Sequence, residues 1–277
     1  MKLTYLGTAA YEGVPAAFCE CPVCTAARRA GGRNVRGRAS SLIERDLLID
    51  IAPDLSYSAG RAGIGLSRVL YILITHSHSD HFAFEELRAR DTRWYCTIPN
   101  AQPVTVVGNR RVGELLRAHC DLADTDMMFR EIRAFESVAL GAYRVTALPA
   151  AHKPDEDAFF YLIERGGRTL LYAHDTGMPD DAVFAYLAGK RLDCISLDCT
   201  CALTDTRATH MGVAADIEVR ERLRQLGCVD ARTICVCNHF SHNGLHRDGD
   251  VMLHEEFAQF VQKEGFLASY DSMEIEI

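Results

Sequence analysis

The chain of 277 residues contains no apolar run of the roughly 20 residues that a spanning helix requires. Behind Met1 it also lacks an apolar signal core and a small-residue cleavage site, so a cytoplasmic protein without membrane attachment is expected. Positive charge is in deficit: 30 lysines and arginines face 38 aspartates and glutamates, for a formal net charge of -8. Broad nucleic-acid binding needs the opposite field and is set aside. No repeat, low-complexity tract or linker divides the sequence, so one domain over 1–277 is expected. The 11 cysteines are odd in number and scattered, unlike the paired framework of a small secreted domain. Cys96, Cys120, Cys194, Cys228 and Cys235 read as reduced thiols in apolar or helical surroundings, and Cys199, Cys201 and Cys237 as packing.

What is present is a dense alternation of short elements. Apolar runs predict strands over 3–7, 41–44, 47–51, 69–74, 104–107, 143–148, 159–164, 169–173, 194–197, 233–237 and 273–277. The pairs on either side of Arg45-Asp46 and Gly166-Gly167 read as hairpins. Helical spacing appears over 82–90, 112–119, 180–188, 213–226 and 254–263, with Gly227 and Gly265 as stops. The expected class is α/β (α+β), with sheets covered by helices in an αββα-type sandwich.

The most informative stretch is His76-Ser77-His78-Ser79-Asp80-His81, directly after the apolar run 69–74. Imidazole nitrogens and carboxylate oxygens are ligands for zinc and similar divalent ions. His76 and His78, two apart on extended backbone, can point the same way. Asp80 and His81 follow a turn and can serve a neighbouring ion. Other metal-competent side chains stand just past apolar strands: His152 after 143–148, Asp175 after 169–173 and His239 after 233–237. His174, adjacent to Asp175, should point away from it and is read as structural.

This set resembles the metallo-β-lactamase-fold hydrolases, and the likeness runs from Gly7 to His242 with no ligand missing. The resemblance implies that His76, His78 and His152 hold a first catalytic metal. It implies that Asp80, His81 and His239 hold a second, that Asp175 bridges the pair, and that Asp80 also orients the nucleophile. Two divalent ions (zinc or manganese, or iron) roughly 3.5–4 Å apart would then activate a shared hydroxide.

Cys19-Glu20-Cys21-Pro22-Val23-Cys24 places three thiols in six residues, which in a reducing compartment reads as a structural zinc loop at 19–24. His242 is the expected fourth ligand, with His246 as its rival. With the flanking Gly7–Pro15 and Arg38–Ile43 segments, this loop resembles the PhnP-like phosphodiesterases of carbon–phosphorus lyase pathways. That likeness implies a zinc on three cysteines and a histidine, a small cyclic phosphodiester as substrate, and compatibility with a homodimer.

His210, in Thr209-His210-Met211-Gly212, looks like the non-ligand catalytic histidine that protonates the leaving alkoxide. Arg38 and Lys153 are the candidate substrate contacts, since cations suit phosphate. Three rival readings remain. A tRNA 3′-end nuclease would need a gripping arm and a basic face. A lactam, lactone or thioester hydrolase fits poorly with His210 and the cysteine loop. A metal- or redox-sensing protein on a retired scaffold fits poorly with a complete ligand set.

Overall fold

The structure is a computed structural model describing residues 1–247 and 250–277. The strands run in chain order as β1 (Lys2–Gly7), β2 (Ser40–Ile43), β3 (Leu47–Ile49), β4 (Tyr71–Leu73), β5 (Val104–Gly108), β6 (Met127–Glu131), β7 (Ser137–Leu140) and β8 (Tyr143–Pro149). They continue as β9 (Phe159–Arg165), β10 (Arg168–Ala173), β11 (Cys194–Asp198), β12 (Ile234–Asn238), β13 (His246–Arg247), β14 (Asp250–Val251), β15 (Leu267–Ala268) and β16 (Glu274–Glu276). The helices are α1 (Pro22–Ala30), α2 (Leu55–Arg61), α3 (Arg110–His119), α4 (Asp181–Leu187), α5 (Val213–Gln225) and α6 (His254–Lys263).

Two seven-stranded sheets result, ordered β16-β1-β2-β3-β4-β5-β6 and β15-β12-β11-β10-β9-β8-β7. Both are mixed: β3 to β6 pair in parallel, as do β10, β11 and β12, while the flanking hairpins are antiparallel. Strand alternation sorts the core. In β9, Phe159, Tyr161 and Ile163 face the space between the sheets, where they meet Tyr5, Ile49 and Leu73. Phe160 and Leu162 face the other way and pack on Val183, Val219 and Phe257 of the second sheet's helices. The first sheet buries Leu42, Leu48 and Ile72 under Leu55, Leu87, Val112 and Leu116. This is the expected αββα sandwich. No helix among the described residues is long and apolar enough to cross a membrane.

Several elements differ from the sequence expectation. The segment expected to be helical over 82–90 is a 3-10 helix, Phe84–Arg90. The preceding Phe82 is tied to Ile51 in a β-bridge, which delays the first turn. Strands β6 and β7 carry weak patterns: in β6 only Met127 is buried, because the strand forms the sheet edge. Helix α1 starts at Pro22 and is capped by Cys21, whose sulfur accepts from the Cys24 amide at 3.4 Å. The two-glycine hairpin between β9 and β10 has φ of 58° and 76° at Gly166 and Gly167, which only glycine adopts freely in such a tight turn.

A contact between the sheets fixes the end of β4. Tyr161 on β9 donates its hydroxyl to the Ile74 carbonyl at 2.6 Å, two residues before His76. Tyr161→Phe leaves the ring packing intact and removes this bond, so it should lower unfolding free energy by about 1–2 kcal/mol in urea titration. An unchanged midpoint would show that the bond does not support the strand end.

Candidate metal centre

The chain delivers its ligands where strands stop. After β4, Thr75 donates its amide to Asp50 Oδ1 at 2.8 Å, and a turn closes with the His81 and Phe82 amides on the His78 carbonyl at 3.1 and 2.8 Å. His76 and His78 precede that turn, while Asp80 and His81 lie within it. Asp175 follows β10 and His239 follows β12. Asp50, Asp175 and His239 all adopt left-handed backbone, with φ of 60°, 52° and 66°. Such conformations cost non-glycine residues of order 1 kcal/mol or more each and persist where surrounding contacts impose them.

Two donor sets match the expected ligands. His76, His78, His152 and Asp175 place one ligand atom each within 4.8 Å of one another, and Asp80, His81, Asp175 and His239 do the same; an overlapping group of Asp175, Asp198, His210 and His239 meets that distance as well. Asp175 is common to both. Its Oδ2 lies 3.2 Å from His76 Nε2, 3.1 Å from His81 Nε2 and 3.2 Å from His152 Nε2. His76 Nε2 is 2.8 Å from His78 Nδ1, and His81 Nε2 is 3.3 Å from His239 Nε2.

The far side of each ring shows what these atoms carry. His81 Nδ1 meets Asp50 Oδ2 at 2.7 Å, His76 Nδ1 meets Thr75 Oγ1 at 3.0 Å, and His239 Nδ1 meets Thr200 Oγ1 at 2.7 Å. His152 Nδ1 faces the Thr209 carbonyl at 3.3 Å. These partners place a ring N–H at Nδ1 and turn each Nε2 inward, where it can offer a lone pair once any proton there is displaced. Ring nitrogens of His76, His81 and His152 thus converge on Asp175 Oδ2, with His239 Nε2 beside that of His81. Such an array is mutually repulsive by itself and fits divalent cations, which these nitrogen and oxygen donors suit.

Electrostatics agree. Burial holds the His78 imidazole below its ordinary value and lowers that of His152 to about 4, so both are neutral donors. Burial opposes ionisation of Asp80, yet His81 outweighs it and keeps the carboxyl well below the usual range. Burial likewise opposes charge on His81, but Asp80 and Asp50 hold its proton well above the usual histidine value, and a cation must displace that proton.

His210 stands across from the donor sets. Its Nδ1 is 3.2 Å from Asp175 Oδ1 and 3.6 Å from Asp198 Oδ2, and its ring centroid is 5.0 Å from that of His152. The close approach to Asp175 is misaligned for a hydrogen bond, and both atoms are buried without one. Burial disfavours the imidazolium, but Asp175 and Asp198 overcome this and raise it to about 10. The side chain is 28% exposed although Nδ1 is buried, so its opposite edge looks into a cavity of about 670 Å³. His78, Asp80, His152, Asp175 and His239 share that cavity.

A third set lies at the N-terminal loop. Cys19, Cys21, Cys24 and His242 bring their ligand atoms within 4.8 Å of one another. Cys21 Sγ is 3.3 Å and Cys19 Sγ 3.9 Å from His242 Nδ1. Three backbone amides, of Ala16, Cys21 and Cys24, point at the sulfurs at 3.3–3.4 Å, which favours thiolates. His246 does not join this set. It is exposed and lies in the β13–β14 ribbon opposite Val251.

Arg38 and Lys153 are not brought to the cavity. Arg38 donates to the Tyr11 carbonyl at 2.7 Å and approaches Asp54 at 3.6 Å. Lys153 is held by Asp155 at 2.6 Å. Each cation is paired with a neighbour in its loop, and neither lines the cavity. His174 is structural as read, with Nε2 at 2.7 Å from Ser196 Oγ. Sequence reasoning missed Asp50 and Asp198. The signal was available, since each acid follows an apolar strand just as Asp175 does.

Removing either candidate fourth ligand of the cysteine loop separates the two. His242→Ala should lose about one metal equivalent per chain by elemental analysis and melt at a lower temperature, since metal binding is coupled to folding. His246→Ala should do neither, and the reverse result would reassign the ligand.

Comparison with known proteins places this geometry. Coenzyme PQQ synthesis protein B of Methylobacterium radiotolerans is 27% identical over 246 residues, covering 77% of each chain. A diphosphatase from the PhnP family has a similar structure, with a TM-score of 0.76 and 23% identity over 100% of this chain and 97% of that one. The Zn(2+)-bound PqqB from Methylobacterium extorquens has a TM-score of 0.72 and 19% identity over 100% of both chains. The family described as the beta-lactamase superfamily domain matches residues 45–236, and the chain, with its two donor sets between two mixed sheets, belongs to that family of metallo-β-lactamase-fold hydrolases.

Proposed function

We propose that the protein is a binuclear metal-dependent phosphodiesterase acting on a small, cyclic phosphodiester, with zinc, manganese or iron in the two catalytic positions and a structural zinc on Cys19, Cys21, Cys24 and His242. The observation that carries the reading is the joint placement of Asp175 and His210. One carboxylate serves both donor sets, and an imidazole that is not needed by either faces them across the cavity.

When bound, a divalent pair supplies the positive charge that polarises a phosphoryl oxygen and acidifies a water. The chain supplies the rest. His76, His78, His152, Asp80, His81 and His239 would hold that charge, with Asp175 belonging to both donor sets. Asp80 is held ionised and lines the cavity, so it can orient an attacking water. His210 is held cationic by Asp175 and Asp198, with its buried Nδ1 edge toward them. Its open edge can stabilise the phosphoryl charge and give a proton to the departing alkoxide, a step that a thioester site, with its thiolate leaving group, has less need of. All 11 cysteines are free of disulfides, which supports a cytoplasmic setting.

The sequence likeness to coenzyme PQQ synthesis protein B favours one other reading. In it the same donor sets serve the making of a quinone cofactor.

Assays with Zn²⁺ or Mn²⁺ separate these. Bis-p-nitrophenyl phosphate and 2′,3′-cyclic nucleotides should be hydrolysed, with lactam and thioester controls slow. Turnover of a control but of neither phosphodiester would overturn the proposal, and inertness toward all of them would favour the cofactor-synthesis reading. His210→Ala should lower kcat by about 10²–10⁴-fold with metal content unchanged. Loss of metal in that variant would make His210 a ligand instead.

A further inference from the structure

Beneath the cavity floor, on the helix side of the second sheet, lies a cluster that neither the catalytic donor sets nor the cysteine loop uses. Cys199 follows β11, Cys237 belongs to β12, and Asp216 sits in the first turn of α5. One donor atom from each lies within 4.8 Å of the others, and all three side chains are wholly buried.

Asp216 is the anomaly. Its Oδ2 accepts from Cys237 Sγ at 3.3 Å, while Oδ1 is buried with no partner. A buried carboxylate normally has full hydrogen bonding or a cation beside it. Neither protonation state meets that need here. As an anion, Asp216 has only weak thiol donors, Cys237 and the adjacent Cys199, against the whole cost of burial. With a proton on Oδ2 it donates only to sulfur and leaves Oδ1 orphaned, and a proton on Oδ1 finds no acceptor. Burial, reinforced by Asp198, pushes this carboxyl well above its usual range, which measures how poorly the protein alone accommodates the charge.

We propose that Cys199, Cys237 and Asp216 form a further metal site that holds one thiophilic cation, zinc or copper(I), between β11, β12 and α5. Two sulfurs select soft or borderline ions; copper(I) is satisfied by two or three donors, whereas zinc would need one more to complete its tetrahedron. Binding displaces the two thiol protons and the carboxyl proton to solvent, and gives Asp216 Oδ1 the partner it lacks. The site has a structural purpose. Cys199 adjoins Asp198, and Cys237 lies two residues before His239, so a cation there would tie together two strand ends that form the catalytic floor.

The test counts metals. Full-length protein would be made in medium supplied with zinc and copper and purified reduced without chelator. Zinc and copper per chain would be measured by elemental mass spectrometry. The C199A/C237A double variant should carry about one zinc or copper fewer than the unmodified protein. Asp216→Asn, which keeps size and shape, should lower the count in the same direction. Cys21→Ser removes a different ion, so its deficit should add to that of Asp216→Asn. Equal counts in the unmodified protein and the folded double variant would overturn the proposal. If the double variant fails to fold, Asp216→Asn decides: an unchanged count marks a plain buried acid and overturns it. So would an intact mass showing Cys199 and Cys237 joined as a disulfide in the unmodified protein.

Discussion

A single oxygen organises the molecule. Asp175 Oδ2 lies within 3.2 Å of imidazole nitrogens from His76, His81 and His152. His76 and His81 follow β4 of one sheet, and His152 follows β8 of the other. That convergence requires the two sheets to hold a fixed separation and offset. The layer between them, built from Tyr5, Ile49 and Leu73 on one side and Phe159, Tyr161 and Tyr172 on the other, sets both. The backbone pays locally for the geometry in left-handed conformations at Asp50, Asp175 and His239. Well-packed sheets can impose such conformations because a shift of one strand would disturb every neighbour.

Around that oxygen the same orienting device occurs twice. Asp50 accepts from Thr75 Oγ1 at 3.0 Å, and that hydroxyl meets His76 Nδ1 at 3.0 Å. On the other sheet Asp198 accepts from Thr200 Oγ1 at 2.9 Å, and that hydroxyl meets His239 Nδ1 at 2.7 Å. In each relay the hydroxyl donates to the acid and accepts from the ring, so the ring's other nitrogen can offer a lone pair. Each sheet therefore fixes one histidine, and the two histidines belong to different donor sets. Asp50 also contacts His81 directly, which links the sets through the first sheet. His239 Nδ1 stands 3.3 Å from Asp198, and no comparable carboxylate backs His76 or His152. The set containing His81 and His239 is thus the more strongly anchored by acids.

The donor residues were legible because chemistry and periodicity coincide in them: an apolar strand runs out and the next polar side chain is metal-competent. His76, His78, Asp80, His81, His152, Asp175 and His239 all follow that rule, and the structure assembles them. Asp50 and Asp198 follow it too, but an acid after a strand is also a common turn residue, so nothing local separates an orienter from a loop. Helix α2 escaped because Leu-Ser-Tyr-Ser-Ala-Gly-Arg has little helical stripe, and α1 because its cap is a sulfur. Arg38 and Lys153 stand away from the cavity for a related reason. A cation beside a ligand suggests substrate, yet Asp54 and Asp155 claim these cations first, and only three-dimensional contacts reveal such capture.

The cysteine loop belongs to the same construction. His239 and His242 leave β12 three residues apart, one toward the catalytic donors and one toward the sulfurs. Between them Ser241 donates to Glu12 Oε1 at 2.5 Å, and Glu12 stands 3.7 Å from His242 Nε2 while lining the cavity. The segment that anchors the N-terminal loop therefore also shapes the wall above the catalytic donors. Phe240 reinforces this from below: it is buried, its carbonyl accepts from the Ala10 amide at 3.0 Å, and its amide donates to the Thr8 carbonyl at 2.9 Å. These paired backbone bonds make residues 8–10 and 240 a short joint between the two ends of the chain. An ordered cysteine loop thus presses on the same strand exit that positions His239, so the sulfur donors and the catalytic donor sets share one mechanical support.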